Sequence, residues 1–438
     1  MAEEPIGDIL DFNSLNPQQL GFMCGLEIHQ QLNTGKLHSR EEGKLFDYTI
    51  DTIPENLPRT KRKLRAASGE GGKIDIAARF ETKRNRSFIY VQSPNSGLIE
   101  LDDQPPLEHD RDAVDISLVI SAMLNAHPVE TLQAMRKTVV DGSNTSGFQR
   151  TTLVSTHGNL KTDTGDVGIS LICLEEDSAR KLSSELTPNG EIVTWNLDRL
   201  GIPLVEIATE PDIITPEHAK ETAIALGGLL RDTRKVRRGL GSIRQDLNVS
   251  IACGDRVEIK GCQDLEWIPK IIQLEMVRQL HFYRLANTLR ECLGMSLLPP
   301  DRRNTDSQIE LEISKIMNDK IPLEIHNVGE AFSNCESKMI AKTIASGGVM
   351  LAVKLPFLAG RLGSKSLDSN GAQLPRLGRE LASAAKLAGV AGIFHSDELP
   401  AYGITDVEVN SVKELLGINT NDAFALCCAP EWQAELAL

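Results

Sequence analysis

The stretch Gly25-Leu26-Glu27-Ile28-His29-Gln30-Gln31-Leu32 constrains this chain more than any other. Read as a β-strand, it sends alternate side chains to opposite faces. Glu27, His29 and Gln31 then share one face, and Leu26, Ile28 and Leu32, with the intervening Gln30, take the other. The apolar face suits a core. The polar face offers a carboxylate and an imidazole two residues apart, a pair suited to gripping a metal or moving a proton. A single strand of this kind is also what a half-solvated antiparallel sheet presents to water. The argument for chemistry comes from later strands that repeat the pattern.

Residues 169–176 form a mostly apolar run that ends, with Asp177, in three adjacent acids. Glu175 and Glu176 point to opposite faces, so only one readily joins a given cluster. In the run Leu204-Val205-Glu206-Ile207-Ala208, Glu206 shares a face with small apolar groups. An unpaired carboxylate there is costly unless a cation or metal meets it. Residues 243–251 place Arg244, Asp246, Asn248 and Ser250 on one face. A turn at Gly254-Asp255 leads to a strand where Arg256, Glu258 and Lys260 share a face, which reads as a hairpin. The set Glu27, His29, Glu175 or Glu176, Glu206, Asp246, Asn248 and Glu258 is oxygen-rich and suits Mg²⁺ rather than zinc. Arg244, Arg256 and Lys260 beside it suit phosphate oxygens. This is the composition of ATP-dependent phosphoryl transfer, where positioning and charge neutralisation supply most of the catalysis.

A further phosphate-binding candidate lies at residues 135–150. A strand runs into a loop of small hydrogen-bonding residues, Ser143 and Asn144 among them, flanked by Arg136, Lys137 and Arg150. Such a loop presents backbone N–H groups and hydroxyls to an anion. An ordinary turn is the alternative. No Walker A motif occurs in the chain.

The remaining segments are scaffold by their patterning. Residues 1–20 read as a lead-in, 35–72 and 183–193 as polar loops, and residues 88–91 as a strand. Residues 110–125 have helical spacing, with Val114, Leu118, Val119 and Met123 on one stripe. Thr215-Pro216-Glu217 is a helix start, and the helix runs to about Asp232 with Ala223, Leu226, Leu229 and Leu230 inward. Residues 264–294 are helical, with Ile268, Ile271, Ile272, Met276 and Leu280 inward. Two basic clusters stand out: Arg59, Lys61, Arg62, Lys63 and Arg65, read as a solvated loop, and Arg231, Arg234, Lys235, Arg237 and Arg238. For the second, a solvated helix end and an RNA-phosphate contact weigh equally.

At 438 residues the chain needs two or three domains. The clearest linker, Leu297-Leu298-Pro299-Pro300-Asp301, sets a boundary near 295–310. With a net charge of −14, attraction to nucleic acid across the whole surface is disfavoured, so phosphate binding falls to local basic patches. The eight cysteines are scattered without a C-x-x-C pair, which points to buried reduced thiols. No apolar run reaches bilayer length. The acidic start Met1-Ala2-Glu3-Glu4-Pro5 lacks the features of a secretory signal, so a cytoplasmic location is expected.

Taken together, the segments at 25–32, 135–137, 141–150, 173–177, 197–211, 237–250 and 257–260 resemble those of the archaeal E subunits of glutamyl-tRNA(Gln) amidotransferase, relatives of the bacterial B subunit. The resemblance implies an α+β fold: a cradle-like catalytic domain on antiparallel sheet over residues 1–300, then an aspartyl-tRNA-synthetase-like α/β insertion domain over 308–428. Residues 429–438 would begin a C-terminal helical region. It implies phosphorylation of the glutamyl γ-carboxylate of Glu-tRNA(Gln) by ATP with Mg²⁺, followed by displacement of phosphate by ammonia. The ammonia would come from an asparaginase-like partner, the D subunit, in a heterotetramer. Glu27, His29, Glu175, Glu176 and Glu206 fall in the motifs where the family places its reaction centre. Asp246, Asn248, Glu258 and Lys260 extend that set from the hairpin. Where family members often carry a cysteine pair, this chain reads Lys36-Leu37-His38-Ser39-Arg40, which argues against a structural zinc. A non-catalytic RNA-binding scaffold and a freestanding carboxylate kinase are the alternatives.

Overall fold

The alternation in residues 25–32 is realised as strand β1 (Met23–Gln31), whose Leu26 and Ile28 are fully buried while Glu27 and His29 stay partly open. The computed structural model describes residues 14–63, 78, 81–82, 86–187, 190–303, 307–321, 323–363 and 376–438. Residues 1–13 of the expected lead-in, Arg65 and the rest of 64–72 in the expected loop, and Pro188-Asn189 lie outside the described residues. By contacts the chain divides into two units: residues 22–250 with 256–272, and residues 1–21, 251–255 and 273–438. The division falls inside a helix rather than at the proline linker.

In the first unit, β1 sits inside an antiparallel sheet. Its other strands are β4 (His127–Pro128), β5 (Ala134–Thr138), β6 (Phe148–Lys161), β7 (Asp166–Glu176), β10 (Pro203–Thr209), β11 (Ile243–Ser250) and β12 (Val257–Ile259). The order is β12-β11-β1-β10-β7-β6-β4, and β5 also pairs with β6. The expected hairpin is present as β11 and β12, with Asn248 opposite Glu258. Helices α1 (Arg111–Met123) and α2 (Pro216–Asp232) cover the apolar face, packing Ile116, Ile120, Leu226 and Leu230 with Ile28, Ile172, Val205 and Ile207. The start of α2 is as its sequence reads: the Thr215 hydroxyl accepts from the His218 amide, and Pro216 takes the first turn.

The stripe expected on α1 is corrected. Ala113, Ile116, Ser117, Ile120 and Ser121 face inward, and Val119 is 51% exposed. Ser117 and Ser121 are small enough to bring the helix close to the sheet. Their hydroxyls donate to the carbonyls of Ala113 and Ser117, each at 2.8 Å, and Ser121 also meets Ser155 at 2.6 Å. Satisfied hydroxyls remove the usual penalty for burying serine.

A second sheet has the order β2-β3-β9-β8, from β2 (Arg59–Lys63), β3 (Ser87–Val91), β8 (Arg180–Thr187) and β9 (Gly190–Asn196). The polar loops expected at 59–63 and 183–193 are therefore strands instead: β2 and β8 at the two edges, and the start of β9 inside the sheet. Lysine, arginine, serine and glutamate suit such edges because charge discourages further strand pairing. Phe88, Tyr90, Val193 and Trp195 form the core there.

The second unit takes most of α3 (Ile268–Cys292), preceded by a 3-10 turn at Leu265–Trp267, and then α4 (Ser307–Lys320). A four-stranded sheet follows, ordered β13-β14-β16-β15, from β13 (Ile325–Asn327), β14 (Val349–Leu355), β15 (Phe394–His395) and β16 (Ala423–Ala429). Its described pairs are all antiparallel. Helices α5 (Lys338–Ala345), α6 (Leu377–Lys386), α7 (Asp406–Leu415) and α8 (Glu431–Ala437) complete it. All eight cysteines are free; Cys292 is exposed, so the expectation of uniformly buried thiols does not hold there.

Ile120→Ala is expected to lower the unfolding free energy in urea by about 2–5 kcal/mol, whereas Val119→Ala changes it by about 0.5 kcal/mol or less.

Candidate active site

Directly paired residues of antiparallel strands share a face. β1 places His29 between Glu206 of β10 and Arg244 of β11, and Glu27 between Ala208 and Asp246. β10 in turn sets Glu206 beside Cys173 of β7, and Glu175 follows two residues later on the same face. The sheet register alone thus delivers Glu27, His29, Glu206, Glu175 and Asp246 to the side opposite the helices.

The distances show how tightly they meet. His29 Nε2 lies 3.2 Å from Glu206 and 3.5 Å from both Glu27 and Glu175. Lys137, from β5, reaches across with Nζ 3.0 Å from Glu175 and 3.1 Å from Glu206. The Thr151 hydroxyl donates to Glu175 at 2.7 Å, and the Gln149 amide donates to it at 3.2 Å. The Glu175 side chain is fully buried, and that of Lys137 is half exposed at the rim.

These contacts set the charges. Burial alone would push the His29 imidazole down, but the carboxylates of Glu175 and Glu206 outweigh it and raise its pKa to about 9. Burial opposes charge on Lys137 too, and the same two acids hold it well above the usual lysine range. Burial and the neighbouring Glu206 push Glu27 up. For Glu175, hydrogen bonds from His29 and Thr151 and the charge of Lys137 overcome burial and hold it below the ordinary value. The Cys173 thiol, buried beside Glu206 and Glu175, is pushed up to about 12 and is neutral.

The donor set tests the expectation of Mg²⁺. Ligand atoms of Glu27, His29 and Asp246, and of His29, Glu175 and Glu206, lie within 4.8 Å of one another in two overlapping groups. Each group joins two carboxylates to the shared His29 imidazole, and oxygen-rich donors of this kind fit a hard divalent ion. Glu27 and Asp246, or Glu175 and Glu206, are the acids that would hold it, with His29, common to both groups, as a further ligand once it has lost its proton.

The other expected residues are placed as follows. Glu176 is on the opposite face, where Arg150 grips its carboxylate at 3.1 Å and burial raises its pKa. It does not join Glu27 and Glu206 around one point, because strand alternation carries it through the sheet. Arg150 and Arg136 go with it, both stacked near the Phe148 ring at 5.4 and 5.1 Å. Ser143 and Asn144 are buried, and the Ser143 amide and hydroxyl are both taken by Asp141. The loop turns inward, so of the residues flanking it only Lys137 faces the acids. Asp246 accepts from Lys260 at 3.2 Å and from the Gly261 amide at 3.1 Å. Glu258 pairs with Lys260 at 2.6 Å, and Asn248 sits one row further along the sheet, between Gly25 and Glu258. Arg244 donates to Asp177 at 2.9 Å.

Sequence reasoning missed Gln149 and Thr151 as partners of Glu175, and Asp177 as the hub holding Arg244 and the Gln31 amide at 2.8 Å. Alternation along residues 148–151 was the available signal for the first two. Asp177 is marked in the sequence only as the last of three adjacent acids; its partners Gln31 and Arg244, from β1 and β11, are distant in sequence.

The His29 resonance is expected to titrate near pH 9 by NMR, and to fall toward its ordinary value in Glu206→Gln. The sign follows from the raised pKa: the ion pairs stabilise the fold fully below about pH 6.5 and are lost as pH rises through about 9.

The GatB/GatE catalytic domain family matches residues 22–320. The E subunit of glutamyl-tRNA(Gln) amidotransferase from Thermococcus gammatolerans is 46% identical over 422 residues, covering 96% of this chain and 61% of that protein. The E subunit from Pyrococcus furiosus is 44% identical over 425 residues, covering 97% and 62%. That from Methanocaldococcus jannaschii is 40% identical over 429 residues, with the same coverage. The chain spans about three fifths of the length of these relatives. With the family match covering the whole carboxylate cluster, the chain belongs to the GatB/GatE catalytic-domain family.

Proposed function

We propose that this chain is the catalytic portion of a tRNA-dependent amidotransferase that converts Glu-tRNA(Gln) to Gln-tRNA(Gln). In this reading ATP phosphorylates the glutamyl γ-carboxylate, and ammonia delivered by an asparaginase-like partner displaces the phosphate. The observation that carries it is the convergence of Glu27, Glu175, Glu206 and His29 with Lys137 on one sheet face. Phosphoryl transfer between two anions needs acids to hold a divalent cation and cations to offset the oxyanions, and both kinds meet here.

The residues divide the work by their chemistry. Mg²⁺, held by the acids, would neutralise charge on the phosphate oxygens. In the metal-free site, Lys137 and the protonated His29 lie between the carboxylates and keep mutually repelling acids together. Half exposed at the rim, the Lys137 ammonium can meet an incoming γ-carboxylate or phosphoryl oxygen. The neutral Cys173 thiol adds no competing anion or nucleophile at physiological pH.

Assayed with its partner, ATP, Mg²⁺ and Glu-tRNA(Gln), Glu206→Gln is expected to reduce Gln-tRNA formation on the order of 10²–10³-fold, the size typical of losing one preorganised electrostatic group. Retained activity would remove the assignment. Free glutamate in place of the aminoacyl ester is expected to give no product; efficient turnover of it would make the protein a freestanding carboxylate kinase instead.

A further inference from the structure

The basic run at residues 231–238 takes no part in the carboxylate cluster, yet part of it ends beside it. The Asn33 amide donates to the Lys235 carbonyl at 2.8 Å, the Arg237 amide to Gln31 at 2.9 Å, and the Gln31 amide to Ser242 at 2.8 Å. Residues 237–242 are thereby folded over the end of β1, two positions beyond His29. Between this loop and the start of β8 is a cavity of about 820 Å³. Arg180, Arg199, Arg237 and Arg238 line it, against one acid, Asp47.

Three of these guanidiniums are fixed in place: Arg237 by carbonyls alone, Arg199 by carbonyls with Asp177 at 3.6 Å, and Arg180 by Asp47 and, at 3.6 Å, Asp198. Arg237 donates to the carbonyl of Leu32 at 2.9 Å and to that of Gly43. Arg199 donates to the carbonyls of Ser178 and Ala179 at 2.8 and 3.1 Å. Arg180 is held by Asp47 at 2.7 Å. Arg238 is exposed and has no hydrogen-bond or ion-pair partner among the described residues. Gly239 and Gly241 both adopt positive φ, +110° and +79°. The amides of Gly239, Leu240 and Gly241 are likewise without partners among the described residues, and consecutive free amides in such a turn form an anion-binding concavity. Fixed guanidinium forks and a turn of free amides are the two standard ways of gripping a polyphosphate.

We propose that this arginine-lined cavity receives the triphosphate of the nucleotide and hands its terminal phosphate to the carboxylate cluster. The link between the two is physical: Asp177 accepts from Gln31 of the cavity wall at 2.8 Å and from Arg244, the neighbour of His29 in the sheet, at 2.9 Å. A concave site of this volume is in the range that encloses a small molecule. An RNA backbone calls instead for an extended basic track, whereas these four arginines line one concave site. The proposal rests on the reading above for the identity of the nucleotide and replaces the loop at residues 141–150 as its phosphate cradle.

The test titrates the full 438-residue chain with ATP, inorganic tripolyphosphate and an unacylated acceptor-stem minihelix. Arg238→Ala is expected to weaken ATP and tripolyphosphate by roughly tenfold or more. Arg238→Glu is expected to weaken them further, and the minihelix much less in both. Arg231→Ala, outside the cavity, is expected to leave all three unchanged. Arg238 has no partner to lose, so its variants should fold, and their unfolding midpoints check this. Unchanged ATP binding in both Arg238 variants overturns the proposal, as does a loss confined to or largest for the minihelix. The two readings fail separately: intact amidation with unaltered nucleotide binding in the variants removes only the cavity, and cavity binding of tripolyphosphate without amidation by the wild-type protein removes only the function.

Discussion

Carboxylates held this close repel one another, and the candidate site exists because two cations are interleaved among them. His29 lies within 3.5 Å of three glutamates, and Lys137 bridges two of the same three. Without them, Glu175, whose side chain is wholly buried, would face Glu206 with little solvent to screen the charge. The fold supplies the cations from different places. His29 comes from the same strand as Glu27, whereas Lys137 arrives from β5 through two intervening strand pairings.

That difference explains what the sequence made legible. The face of β1, the hairpin of β11 and β12, and the capped start of α2 are local patterns with periods of two or near four, and each was readable from a few neighbouring residues. The assembly of the cluster depends on register between strands distant in sequence. Alternation says that Glu175 and Glu176 separate, but not which of them turns toward His29. The structure selects Glu175 and gives Glu176 to Arg150 on the far side. The same limit applies to Arg136 and Lys137, adjacent residues sent to opposite faces.

Other misreadings came from composition standing in for geometry. On α1, size and hydropathy favoured Leu118 and Val119 as the inward stripe, whereas close approach to the sheet favoured Ser117 and Ser121 with their hydroxyls satisfied. At 59–63 and 183–187, charge and hydroxyls suggested loops, whereas those side chains decorate sheet edges. The loop at 141–150 had the composition of an anion cradle, but Asp141 already takes the amide and hydroxyl of Ser143.

Gln30 ties these observations together. It points to the back of β1, is almost fully buried, and its amide nitrogen donates to the carbonyls of Gln31, Arg237 and Ser242 at 3.0, 3.1 and 3.0 Å. A polar residue in the middle of an apolar face thus serves as a rivet through the sheet. The acids ahead of it and the arginine loop behind it cannot slide independently, since a slip of one residue would turn Gln30 outward and break all three of its bonds. Negative and positive halves of the site are thereby machined as one part, and adjustment between them is left to side chains such as Lys137 that enter from outside β1.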